Sequence, residues 1–242
     1  MCLNHHHTTT IKSILKGQNV QYPKQKNMNQ TTLKKYTRPN YCFNANHLLI
    51  QAYTQKATKN ATTDLEKAVA LYYAIRDGFR YNPHNVKLHP DYMRASAVVQ
   101  RQEGHCVDKA TLMVACCRSA NIPARIGFAK VSNHIGTSKL EKLLKTNVLV
   151  PHGYADIYLE GQWVKATPAF NKELCGKLGV KPLEFDGKKD SLFQEYDKEG
   201  GLFMEYLHDF GTFEELPLLL MYQLMQKEYP HLYPESDKVI KN

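Results

Sequence analysis

The stretch Gly104-His105-Cys106-Val107-Asp108-Lys109-Ala110, continued by Thr111-Leu112-Met113-Val114-Ala115-Cys116-Cys117-Arg118-Ser119-Ala120 and ended by Asn121-Ile122-Pro123, decides the reading of this chain. Ala110, Met113, Val114 and Cys117 fall at the spacing of one buried helical face, and Cys106 lies one turn earlier on that face. Asn121 can take the left-handed cap conformation, and Pro123 stops the helix from continuing. A helix start carries unpaired N–H groups and the positive end of a dipole, both of which favour thiolate over thiol. Cys106 is therefore a candidate nucleophile. Cys116 and Cys117, in mid-helix, read as small buried hydrophobes.

Upstream, the spacing predicts a short helix over 46–53 and a stronger one over 65–79, capped by Thr63 or Asp64 and punctuated by Gly78 and Asn82-Pro83. Residues 84–103 read as a loop with a short helical piece over 95–100. Downstream, 124–131 reads as a strand and 137–145 as a polar helix. A hairpin follows, with strands over 152–159 and 162–167 turning at Glu160-Gly161. Beyond Pro168 the pattern predicts a loop, a short strand near 183–185 and two closing helices around 190–198 and 212–227.

The 242 residues, 43% hydrophobic, suit one large domain or a domain with a tail. The net charge of +9 is unevenly spread: residues 1–63 hold nine Lys/Arg and no acid, which leaves 23 bases against 23 acids in the rest. A basic segment can bind phosphate backbones. This one is diluted with Asn, Gln and Thr and poor in aromatics, so residues 1–38 read as a poorly ordered tail and a nucleic-acid partner is not expected. Met28 is a possible start of the ordered chain, and His5-His6-His7 reads as incidental. Residues 39–242 are expected to form the domain. No apolar run is long enough to span a bilayer, and the N-terminus lacks the apolar region of a signal peptide. The six cysteines have no CxxC pair or regular spacing, so they read as reduced thiols and the expected compartment is the cytoplasm.

A nucleophilic cysteine needs a base and a group that orients it. His152 is the best candidate base, opening a strand on which residues 152, 154, 156 and 158 share a face. His105, Cys106, His134 and His152 could be imagined as metal ligands, but no spacing supports it; no metal or cofactor is expected.

Two blocks resemble the transglutaminase-like superfamily over roughly residues 64–171. The first is Gly104-His105-Cys106 with Lys109-Ala110, the helix, and then Arg118-Ser119-Ala120-Asn121-Ile122-Pro123-Ala124-Arg125, where Asn121 replaces the family's glycine. The second is His152-Gly153-Tyr154-Ala155-Asp156-Ile157-Tyr158 with Gly161-Gln162-Trp163-Val164, where Tyr154 stands for a tryptophan and Asp156 for a glutamate. The resemblance implies an α+β, papain-like fold: a central helix bearing Cys106 packed on an antiparallel sheet bearing His152, here with extra C-terminal helices. It also implies thiol acyl chemistry on a peptide or protein amide, hydrolytic or transferring, without a cofactor.

One departure weakens that implication. The family's second strand ends in Asp-Pro-Thr, whose aspartate orients the histidine; here Thr167-Pro168-Ala169 puts a threonine there. Asp156, about 13 Å along the strand, is too far to replace it. Asn171 is a possible substitute, as Asn serves some Cys-His enzymes. A hydroxyl is neutral and stabilises imidazolium less than a carboxylate. Gln100 is a further candidate as oxyanion donor beside the Cys106 N–H, and Trp163 reads as core. Two readings result: a cysteine-dependent amide hydrolase or acyl transferase using Cys106, His152 and Thr167, or a binding module of the same fold without the chemistry. Substrate and oligomeric state are not legible in the sequence.

Overall fold

The computed structural model describes residues 28–134, 138–193, 199–201 and 203–233. His5-His6-His7 and most of the basic segment lie outside the described residues. The described chain begins ahead of the boundary expected at Pro39. A short helix, α1 (Gln30–Lys34), and a 3-10 turn (Lys35–Thr37) bring Leu33 and Tyr36 onto Trp163. Tyr36 meets the indole edge to face at 5.2 Å, and the Arg125 guanidinium lies over the indole ring at 3.9 Å. Trp163 is a packing residue.

Helix α2 (Leu48–Ala57) and helix α3 (Asp64–Gly78) follow. Thr63 and Glu66 form a reciprocal capping box at the start of α3, which satisfies two otherwise unpaired backbone donors. A two-residue strand, β1 (Arg80–Tyr81), runs parallel to β2 (Glu103–Gly104); between them lie α4 (Pro90–Met93) and α5 (Ala95–Arg101). Helix α6 (Cys106–Ser119) comes next. Asn121 sits at φ 61°, as its cap role requires, and the Ile122 N–H returns to Cys117 O at 2.8 Å.

The main sheet is antiparallel, ordered β5-β4-β3-β6: β3 (Ala124–Asn133), β4 (Val148–Leu159), β5 (Gln162–Ala166) and β6 (Met204–Phe213). Helix α7 (Ser138–Leu144) joins β3 to β4, α8 (Lys172–Leu178) follows β5, and α9 (Leu218–Glu228) follows β6. The α+β architecture is the one expected. Three details beyond Pro168 differ. Residues 172–178 form a helix, 183–185 form no strand, and 204–213 form a strand paired with β3, so that the helix expected at 212–227 begins only at Leu218. The helix expected around 190–198 falls partly outside the described residues, and Ser191 makes a bridge to Ala166. One closing helix, α9, is present among the described residues.

Helix α6 is buried on every side, not on one face: every residue from Cys106 to Arg118 is buried, between the sheet and the shell of α2, α3 and α5. Its charged residues therefore need internal partners. Arg118 donates to Ala124 O (2.9 Å), Arg38 O (2.8 Å) and Glu214 O (2.7 Å), tying the helix end to three segments. Lys109 donates to Arg76 O and Phe79 O at 2.9 Å and to Ala169 O at 2.7 Å, fixing the chain after Thr167 against α6. Arg76, also buried, holds Leu183 O at 2.8 Å, and Tyr72 shares that carbonyl at 2.9 Å. These bonds tie the chain at Leu183 to α3, and Ser191 then bridges to Ala166 at the β5 edge of the sheet.

Candidate active site

Cys106 stands at the first position of α6 and is 6% exposed. Its Sγ lies 3.8 Å from Pro151 O. Burial, the largest influence, pushes the thiol up to about 11, against the backbone N–H groups of Gly153 and Val107, which point at the sulfur and favour the thiolate. The thiol thus abuts the residues on either side of His152. Only glycine fits after that histidine, because a Cβ on Gly153 would meet Val107 Cα at 2.7 Å.

With Gly153 facing α6, strand alternation sends His152 to the opposite face of β4. Thr167 shares that face, since its neighbour Ala166 pairs with Ala155 on the α6 side. His152 is 3% exposed, and burial pulls it down to about 4. The backbone of Leu192 acts in the other direction, yet neither ring nitrogen reaches hydrogen-bonding geometry with any group. Thr167 Oγ1 is likewise without a partner, while its backbone is held by Ser191 O (2.9 Å) and Tyr72 Oη (3.3 Å). No bond between Thr167 and His152 forms.

The other candidates are engaged elsewhere. Asn171 Oδ1 accepts the Tyr81 N–H at 3.3 Å, and Gln100 is exposed. Asp156 is buried with Arg125 at 2.8 Å, which joins the two sequence blocks across β3 and β4. Burial raises this carboxyl despite the guanidinium.

The sequence reading passed over His105. Its Nδ1 lies 2.5 Å from Asp108 Oδ2, and that oxygen also accepts the His105 backbone N–H at 3.1 Å. Arg101 completes the group with an ion pair to Asp108 Oδ1 at 2.6 Å. Burial alone would raise the Asp108 carboxyl; its contacts with His105 and Arg101 hold it below its ordinary value. The readable signal was a histidine three residues ahead of an aspartate at a helix start.

Cys106 and His105 line one apolar cavity of about 60 Å³, walled by Leu140 and Leu144 of α7 and by Met221 and Met225 of α9. A second cavity, about 280 Å³, adjoins it through Tyr81, Pro83, Leu140 and Leu149. His152 and Thr167 line neither. Among the described residues no cluster of three or more His, Cys, Asp or Glu could hold a metal ion, and no helix is long and apolar enough to cross a membrane.

Residues 51–168, just under half of the chain, match the family model of the transglutaminase-like superfamily. Two solved structures are similar: a candidate cysteine protease from Cytophaga hutchinsonii (15% identity, TM-score 0.46, 75% of this chain and 53% of that one) and a candidate protease from Parabacteroides distasonis (13%, 0.36, 56% and 25%). The chain thus spans about half of the first and a quarter of the second. No curated protein matches the chain.

Proposed function

We propose that this chain is a cysteine-dependent amide hydrolase or acyl transferase acting on a peptide or protein. The observation that carries the reading is the position of Cys106: first residue of a buried helix, receiving two backbone N–H groups, and opening onto an apolar cleft. Sγ attacks the carbonyl and the amine leaves, giving a thioester that water or a second amine resolves. Hydrolysis and transfer differ only in that last nucleophile. The thiol proton passes to an imidazole: His152 holds the family's histidine position, and His105 lines the cysteine's own cavity. No cofactor is required by this chemistry.

A second reading, a binding module that kept the fold, has observations on its side. Thr167 contacts no imidazole, His152 is held neutral, and the thiol rests protonated at pH 7. Labelling with a peptidyl vinyl sulfone separates the two. The enzyme reading expects Cys106 in folded protein to react at least about tenfold faster than Cys116 and Cys117, with loss of that preference on changing these imidazoles. Equal rates, unaffected by those changes, support the module.

A further inference from the structure

The departure at Thr167 leaves the strand histidine without an orienting carboxylate, yet a histidine with one lies next to the cysteine. His105 Nδ1 is bonded to Asp108 at 2.5 Å, and Asp108 is anchored by Arg101 at 2.6 Å. The other ring nitrogen, Nε2, is buried without a partner in a residue 6% exposed. A buried imidazole nitrogen left unpaired is costly, so it normally finds a use. This one belongs to a residue that walls the same cavity as Cys106. With Nδ1–H donating to the carboxylate, Nε2 carries the free lone pair, the tautomer an acid–base histidine needs.

We infer that His105, held by Asp108, is the acid–base catalyst for acyl transfer at Cys106, the part the family gives to the strand histidine. The inference rests on the functional reading above. His105 Nε2 takes the proton of the Cys106 thiol as sulfur bonds to the substrate carbonyl carbon. The same proton goes to the leaving amine as the C–N bond breaks. In the second half, Nε2 takes a proton from water as its oxygen attacks the thioester, and returns it to sulfur as the C–S bond breaks. Asp108 is the positioning residue. The other titratable groups around this imidazole are Arg101 from α5, His152 from β4, Cys106 itself, and Tyr81 and Tyr229, which line the same cavity. His152 is then a buried neutral ring outside the cysteine's cavity.

The experiment uses p-nitrophenyl acetate, whose acetyl group is small enough for the cavity, and follows the burst of nitrophenolate and the slower turnover. His105→Gln keeps a hydrogen-bonding side chain toward Asp108 and serves with a melting curve to confirm folding. The expected result is a burst of full amplitude but slower onset, because His105 also takes the thiol proton in acylation, with turnover at least about 100-fold slower and a changed pH profile of the turnover rate. Asp108→Asn should lower turnover less and keep the wild-type profile. Wild-type turnover in folded His105→Gln overturns the proposal, as does the same change of profile in His152→Gln alone; either leaves the thiol reading standing. A wild-type chain with no burst, or an unchanged burst in Cys106→Ala, overturns the functional reading and this proposal with it.

Discussion

Gly153 and Val107 are the closest point between strand and helix: a Cβ on Gly153 would stand 2.7 Å from Val107 Cα and 3.0 Å from its nitrogen. Neither backbone can give way cheaply, because Val107 belongs to a helix buried on all sides. Gly153→Ala should therefore destabilise by about 1–3 kcal/mol, as overpacking does, and lift the Gly153 N–H away from the sulfur. Urea unfolding and the rate of Cys106 alkylation should both show it. Unchanged stability would mean that strand and helix are not this close.

Lys109 is the internal brace of the site. Its ammonium satisfies three carbonyls from α3, the turn after it and the segment following Thr167. Lys109→Met keeps the volume but leaves those acceptors unpaired, at a cost of about 3 kcal/mol or more. A shift in the urea midpoint smaller than about 1 kcal/mol would contradict that role.

His152 makes stability depend on pH in a defined direction. Burial lowers its folded value to about 4, below the ordinary 6.5. The unfolded chain thus binds the proton more readily, so this contribution is complete above pH 6.5 and is lost as pH falls toward 4. Its size is roughly 3 kcal/mol. Urea midpoints between these pH values should fall steeply in the wild type and less so in His152→Gln.

The thiol is raised mainly by burial, and the walls responsible come from α7 and α9. Met225→Ala opens one wall to water. Cys106 alkylation at neutral pH should accelerate several-fold, with the thiol moving down from about 11, while the core loses about 2–5 kcal/mol. Slower or equal alkylation would show that these helices do not control access.

The Cys106 helix, its Asn121 stop and the β4–β5 hairpin were readable because each has a local signature: apolar spacing, a cap residue, alternation around a turn. The all-round burial of α6 was hidden by Asp108, Lys109 and Arg118, whose polarity reads as a solvated face until their internal partners are seen. Strand β6 was missed because its partner β3 lies about eighty residues away, and Leu207 on it is exposed. His152 lies within β4 as expected and Thr167 just past the end of β5, but which imidazole has a carboxylate depends on packing at a helix start. The Asp108 side chain could equally have been only a cap.

The most direct test of Cys106 as nucleophile is mass-spectrometric mapping of the acyl group after the chain is mixed with p-nitrophenyl acetate and quenched during the burst. A thioacetyl group confined to Cys106, and absent from Cys116 and Cys117, is the predicted result. Acetyl groups scattered over lysines and other cysteines, with Cys106 unmodified, would contradict it.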